Sequence, residues 1–411
     1  MMKQLPFSQS DIESLIKKYP TPFYIYDEAS IRHQVQKLNE AFAWNKGFKE
    51  YYAVKALPNP EIVKIIKEEG CGVDASALPE LFLCEKGGVT GEDIMYTSND
   101  TPAEEFIEAK KRGVIINLDD VNHLEYLEEV AGLPELLCFR FNPGLMQYGN
   151  DIIGNPREAK FGITREQLFD GYARAKEKGV KRFGLHTMPI SNELNAKYFV
   201  EAARALFELA KHIEDKVGIA LEFINLGGGI GIPYKLDEAD FDLAEFSEGV
   251  RAAYEEIFPQ GGHKPKIFLE CGRYVTGPSG YLLTRVRHIK ETYKKYVGVD
   301  ACTANLMRPA MYGAYHHITV MGKEDVPQNI VYDVVGSVCE NNDKFAIDRH
   351  LPPIERDDLI VIHDVGAHGH TMGFNYNGKL RSAEFLMSPN KTFKMIRRAE
   401  TVDDLFATLN L

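Results

Sequence analysis

The 411-residue sequence is poor in tryptophan, with one, and in cysteine, with six, and it has no block of basic residues: 48 Lys and Arg face 60 Asp and Glu, a net charge of −12. This acidic balance excludes a broad nucleic-acid surface or an anionic membrane as partner, because both need a basic footprint. The cysteines (Cys71, Cys84, Cys138, Cys271, Cys302 and Cys339) never fall at Cys-x-x-Cys spacing. Neither a zinc framework nor a disulfide scaffold is expected, and a reducing, cytoplasmic setting is. No run approaches 18 apolar residues, and Met1-Met2-Lys3-Gln4-Leu5-Pro6 has no apolar core with a cleavage site, so neither a membrane span nor an export signal is expected. With 44% hydrophobic and 26% charged residues, disorder and collagen-like repeats are excluded as well. At about 150 residues per domain, the length allows two or three domains, or one large barrel with an appendage.

From about residue 50 to 270, short β-type apolar runs alternate with stretches of helical period. That is the pattern of βα units on a parallel sheet. Eight strands are predicted, at 51–54, 72–75, 94–97, 114–118, 137–142, 182–187, 223–226 and 266–270. Helices are clearest at 60–69, 243–258 and 195–217, where Phe199, Ala202, Ala203, Leu206, Ala210, Ile213 and Val217 form one apolar stripe. Eight units favour a closed (β/α)8 barrel over an open sheet. After residue 280 the runs are alternating and β-branched, at 281–290, 317–321, 330–335, 358–363 and 393–397, which predicts an antiparallel β-domain. The strand-like stretch 21–26 precedes the barrel and is expected to pair with that domain. The expected boundaries are 35–280 for the barrel, with 1–34 and 281–411 forming the β-domain.

Functional groups of such barrels lie at the C-terminal ends of the strands, with anions often held after strands 7 and 8. Lys55 closes the first predicted strand, Gly227-Gly228-Gly229-Ile230-Gly231 follows the seventh, and Glu270-Cys271-Gly272-Arg273 ends the eighth. Taken singly, each has a plain structural reading: a barrel-top salt bridge, a tight turn and a rim ion pair. Together they supply a Schiff-base amine, a phosphate cradle and a partner for a pyridine nitrogen, the parts of a pyridoxal phosphate site. His368 and His370 read as solvent-facing loop residues, and His316-His317 as packing residues, so no metal site is expected.

Tyr52-Ala53-Val54-Lys55-Ala56, Gly72-Val73-Asp74-Ala75-Ser76 with Glu80, Asn142-Pro143-Gly144, Lys160-Phe161-Gly162 and the glycine loop occur in one order. Arg308-Pro309-Ala310-Met311-Tyr312, Cys339-Glu340-Asn341-Asn342-Asp343, Asp364-Val365-Gly366-Ala367 and Asn375-Tyr376-Asn377 follow them. In these motifs residues 20–400 resemble the alanine-racemase-type, fold type III pyridoxal phosphate decarboxylases, and within them the diaminopimelate decarboxylases. The resemblance implies decarboxylation of meso-2,6-diaminopimelate to L-lysine. It implies that Lys55 carries the cofactor and that Glu270 pairs with its ring nitrogen. Asp74, Ser191, Gly228, Gly229, Gly231, Gly272, Arg273 and Tyr376 would line the cofactor pocket. Arg273, Arg308, Tyr312 and Tyr376 would meet the substrate, Glu340 its distal amine, and Cys339 would return a proton to Cα. Guanidinium groups suit carboxylates and a glutamate suits an ammonium. By residue type alone, Cys339 reads as a small buried hydrophobe. The resemblance also implies a homodimer in which the Cys339-Glu340 segment serves the other subunit's site.

Three positions depart from the family. Met188 in Gly184-Leu185-His186-Thr187-Met188-Pro189-Ile190-Ser191 stands where a stacking histidine is usual, Cys271 where proline is, and His368 where tyrosine is. A thioether packs against a ring but supplies no proton. Decarboxylases of carboxynorspermidine, ornithine, lysine or arginine therefore stay open as alternatives. An amino-acid racemase is disfavoured by Glu270, which promotes a strong electron sink, and a single-barrel cofactor-binding protein by the added β-domain.

Overall fold

The computed structural model describes residues 3–144 and 158–410. The chain divides into two compact units, one built from residues 32–232 and 239–275 and the other from the N-terminal 31 residues, 233–238 and 276 onward. Among the described residues no helix is long and apolar enough to cross a membrane.

The first strand, β1 (Phe23–Asp27), belongs to the second of these units. The next eight are β2 (Lys49–Ala53), β3 (Gly72–Ala75), β4 (Ile94–Thr97), β5 (Ile115–Leu118), β6 (Leu136–Phe141), β7 (Arg182–Thr187), β8 (Leu221–Asn225) and β9 (Lys266–Leu269). Each pairs in parallel with the next, and β9 returns to β2 through Lys49↔Phe268 and Glu50↔Leu269, closing the (β/α)8 barrel. Tyr51, Met95, Ile115, Leu136, Cys138, Phe223 and Phe268 pack into one buried cluster, with the Phe223 and Phe268 rings stacked at 4.5 Å. The barrel is thus a filled core whose chemistry is confined to its ends.

The helix predicted over 195–217 runs Ala196–Ile213, capped by the Asn195 side chain, and buries Phe199, Ala203, Leu206, Ala210 and Ile213. It widens into a π turn at Glu214–Gly218, so Val217 leaves the apolar stripe. Two features force that ending. Gly218 adopts φ +67°, and Lys176 Nζ takes the carbonyls of Val217 and Gly218 at 2.8 and 3.0 Å, which a continuing helix would need.

The other unit contains β10 (Gly280–Glu291), β11 (Lys295–Val299), β12 (Ile318–Val320), β13 (Ile330–Val335), β14 (Lys344–Leu351), β15 (Leu359–Ile362), β16 (Ala383–Met387) and β17 (Phe393–Arg397). The sheet order is β14-β13-β11-β10-β1-β16-β17, with β15 beside β10 and β12 beside β15. Most pairs are antiparallel, but β1 runs parallel to β16 and β11 parallel to β13. β1 is therefore an interior strand of this sheet, flanked by β10 and β16.

Where β12 meets β15, the neighbouring residues His317 and His363 lie edge to face at 5.1 Å, and His363 Nε2 is 2.8 Å from Thr319 Oγ1. Burial, aided by nearby positive charge, lowers the His317 pKa from 6.5 to about 4 and the His363 pKa to about 3. The unfolded imidazoles bind protons below pH 6.5 that the folded ones refuse. Their contribution to stability is therefore complete above about pH 6.5 and is lost as pH falls towards 4 and 3. A calorimetric series should show the wild-type melting temperature dropping across that window. His363→Asn should drop less steeply from a lower starting value, and equal slopes would remove the pair from the acid response.

Candidate active site

The C-terminal ends of the barrel strands gather a polar cluster. Lys55 follows β2 on the 3-10 turn Val54–Ala56, one step beyond the predicted strand end, with its side chain exposed. Glu270 follows β9 directly and is buried. Its Oε2 lies 3.0 Å from Nε2 of His186 on β7, and Asn225 at the end of β8 donates Nδ2–H to Oε1 at 2.7 Å. Burial works to raise the Glu270 pKa, but His186, Lys55 and Asn225 outweigh it and hold the carboxyl below its usual range. Asp74 on β3 moves the opposite way: burial and the Glu270 charge push its carboxyl well up, against the pull of Lys55. Two acids at one end of the barrel are thereby driven apart, the Glu270 carboxyl held down and the Asp74 carboxyl pushed up. Asp74 Oδ1 and His186 Nδ1 are buried with no hydrogen-bond partner among the described residues.

The glycine loop lies against Glu270. Glu270 N–H donates to Gly227 O at 2.8 Å. A Cβ on Gly228 would sit 2.0 Å from Glu270 O, and one on Gly229, at φ +100°, would sit 2.2 Å from Ile190 O. Glycine is required here by backbone approaching backbone, so the loop and the acid fix each other's position. Gly231 N–H donates to Glu193 O and Glu193 N–H to Gly229 O, at 2.9 and 3.1 Å, tying the loop to the segment that carries Ser191. Met188 Sδ accepts the Gly228 N–H at 3.1 Å. Gly272 backs onto Ala56 beside the Lys55 turn, and Arg273 opens the short helix Arg273–Thr276.

Cys271 is buried, and its N–H donates to Oε1 of the buried Glu50 at 2.6 Å. A proline at this position has no such N–H, so the Cys271 departure brings a buried donor that Glu50 satisfies. Burial pushes the Glu50 carboxyl well above its usual range.

The other unit holds the remaining candidates on packed loops. Arg308 begins the helix Arg308–Tyr312 and is 4% exposed, whereas Tyr312 at its end is 51% exposed. Cys302, Ala304 and Val338, with Phe374, form a small core that joins the loops around 302–308, 336–343 and 373–379. Cys339 is exposed, unlike the other five cysteines, which overturns the reading of it as a buried hydrophobe. Asn377 Oδ1 accepts the Cys339 N–H at 2.7 Å and so sets Cys339 beside the turn Tyr376–Gly378. The Asp343 carboxylate takes the N–H groups of Thr303 and Val338 at 2.6 and 2.7 Å, shaping the loop that exposes Cys339 and Glu340.

His370 is not a solvent-facing residue. It is buried, with Nε2 3.0 Å from Ser382 O and Nδ1 3.7 Å from Glu384, because β16 places that acid in the sheet interior, where Tyr26 and Arg397 also meet it. His186, Asn225, Glu50 and Tyr234 were not singled out from sequence. The available signal for the first two was a polar residue at the C-terminal end of an otherwise apolar barrel strand.

Pyridoxal phosphate fits this donor set. The barrel end offers an exposed primary amine, an ionised buried carboxylate for a protonated ring nitrogen, and buried polar atoms at Asp74 and His186 that lack partners among the described residues. When bound, the cofactor supplies a carbonyl that captures amines and a cationic ring that takes up the electron pair left at Cα as CO2 departs.

Residues 28–277 match the family described as pyridoxal-dependent decarboxylase, pyridoxal binding domain. The chain is 42% identical over 393 residues to protein TabA of Pseudomonas amygdali pv. tabaci, covering 96% of this chain and 92% of that protein. It is 36% identical over 406 residues to the diaminopimelate decarboxylase of Methanothermobacter thermautotrophicus, covering 98% and 94%. The crystal structure of the M. jannaschii diaminopimelate decarboxylase superposes with a TM-score of 0.89 at 31% identity, covering 97% of this chain and 94% of that one. The Helicobacter pylori enzyme complexed with L-lysine gives 0.88 at 30% identity, covering 96% and 98%.

Proposed function

Since the chain belongs to the pyridoxal-dependent decarboxylases, we propose that within this family it removes CO2 from meso-2,6-diaminopimelate to give L-lysine. The observation that carries the reading is the charge set of the second unit: a buried Arg308 with Tyr312 on the same helical turn, and Glu340 exposed next to Cys339. A substrate whose far end is a zwitterion needs both a cation and an anion to meet it. A precursor of a simple diamine needs no carboxylate grip. The resemblance to diaminopimelate decarboxylases over nearly the whole chain supports the same choice.

In this reading Lys55 holds the cofactor and Glu270 faces its ring nitrogen. Asp74, Ser191, the glycines at 228, 229, 231 and 272, Arg273 and Tyr376 surround it. Arg273, Arg308, Tyr312 and Tyr376 hold the substrate, and Glu340 takes its distal ammonium. Met188 in place of the stacking histidine favours one alternative, decarboxylation of another amino acid on the same fold, of the lysine, ornithine or arginine type. CO2 release from meso-diaminopimelate, lysine, ornithine and arginine separates the two. Turnover of meso-diaminopimelate with L-lysine as product is expected, and turnover of another substrate alone would transfer the assignment to it.

Cys339 returns a proton to the substrate's Cα, and the active assembly is a homodimer in which this residue serves the partner's site. Cys339→Ala should slow turnover about a hundredfold with the cofactor still bound. Mixing Cys339→Ala with inactive Lys55→Ala chains should restore about a quarter of wild-type activity, because half the dimers pair unlike chains and each of those holds one intact site. No recovery on mixing would place Cys339 and Lys55 in one subunit's site.

A further inference from the structure

We propose that Tyr234 and His316 position the Arg308 guanidinium and thereby set the preference for substrates with a carboxylate at the far end. The inference rests on the distal-carboxylate role proposed for Arg308. At 4% exposure, Arg308 has given up most of its hydration, so the bonds it makes decide where its charge points. Nη1 donates to Tyr234 Oη at 2.7 Å, and the guanidinium carbon lies 4.9 Å from the centroid of the Tyr234 ring. The same Nη1 is 3.4 Å from His316 Nε2. The other ring nitrogen, Nδ1, lies 2.8 Å from the carbonyl oxygen of His363. A carbonyl only accepts, so Nδ1 carries the proton and Nε2 keeps its lone pair towards Arg308. The rings of Tyr234 and His316 meet edge to face at 5.2 Å, which keeps the two groups in register.

Tyr234 itself is anchored. It lies three residues after Gly231 on the segment 233–238, its N–H donates to Glu238 Oε2 at 2.8 Å, and Lys3 Nζ donates to Pro233 O at 2.6 Å. A planar guanidinium meets a carboxylate with two parallel bonds only when its plane is fixed. The phenol oxygen fixes one corner of that plane, and the ring face and the imidazole limit its rotation. Such a role acts on binding of the distal carboxylate and leaves proton transfer at Cα alone.

Tyr234→Phe keeps the ring and deletes Oη. Expected are a five- to tenfold rise in KM for meso-diaminopimelate and an equal rise in the inhibition constant of L-lysine, which retains the far carboxylate, roughly the net worth of one hydrogen bond. Inhibition by 1,5-diaminopentane, which has no carboxylate, should stay unchanged, as should the absorbance of the bound cofactor. Arg308→Lys should raise the same two constants further, and the double variant should be no worse than Arg308→Lys alone. Equal weakening of L-lysine and 1,5-diaminopentane by Tyr234→Phe, or additivity in the double variant, overturns the positioning role. A neutral Tyr234→Phe beside a damaged Arg308→Lys overturns it while leaving the carboxylate role intact. An Arg308→Lys variant with wild-type constants overturns the distal-carboxylate reading itself, and the inference with it.

Discussion

Lys55→Ala is expected to lower decarboxylation by about four orders of magnitude or more and to remove the absorbance of the covalently held cofactor. The expectation rests on two roles that one side chain combines. Lys55 is an exposed primary amine on the turn that ends β2. Its positive charge also lowers the pKa values of Asp74, Glu80 and Glu270 against the burial that raises all three. Alanine removes both the amine and the charge. Lys55→Arg separates them, because a guanidinium keeps the cation but is not a nucleophile near neutral pH. The arginine variant should be as inactive as the alanine variant while holding the acids nearer their wild-type ionisation. Absorbance titration with pyridoxal phosphate, followed by single-turnover measurement, reads both effects. An alanine variant that still shows the bound-cofactor absorbance and turns over normally would move the covalent role to another residue.

The barrel was legible in the sequence because a parallel strand buried on both faces becomes a short, unbroken apolar run, and helices of amphipathic period separate one run from the next. Strands 72–75, 94–97 and 182–187 were read to the residue, and Lys55, the glycine loop and Glu270 fall at the expected strand ends. Three strands of the other unit escaped notice. Lys295–Val299 is interrupted by Gly298, and Lys344–Leu351 carries Asp348 at φ +48° with Arg349 beside it, so neither alternates cleanly. Ala383–Met387 has no β-branched residue and includes Glu384, yet all five residues are buried in the sheet. That acid is stable there because Tyr26, from the other end of the chain, converges on it with His370 and Arg397 from the neighbouring segments. The same limit hid Tyr234, and it hid what His186 and Asn225 bond to, although each is a polar residue at the C-terminal end of an otherwise apolar barrel strand. A partner becomes visible only when the fold brings it to hydrogen-bonding distance, and no local pattern encodes that.

Glu270→Gln tests the electrostatic half of the barrel site and should cost about two to three orders of magnitude in turnover with the cofactor still attached to Lys55. The substitution is close to isosteric, so the Asn225 and His186 contacts at 2.7 and 3.0 Å lose charge with little change of shape. The wild-type carboxyl stays ionised although it is buried, because His186, Lys55 and Asn225 together outweigh the desolvation. A group whose folded pKa is depressed contributes stability that is present above its unfolded value, near 4.5, and is lost as pH falls through the folded value. The acid-side loss of stability due to this residue should therefore disappear in the glutamine variant. A second consequence appears at Asp74. Its pKa is raised first by burial and next by the Glu270 charge, so removing that charge should let the Asp74 carboxyl ionise at lower pH than in the wild type. A pH titration of the cofactor absorbance and of kcat in both proteins reads these effects. Wild-type kcat in the glutamine variant would show that a neutral partner suffices at the ring nitrogen and would remove the electron-sink role assigned to Glu270.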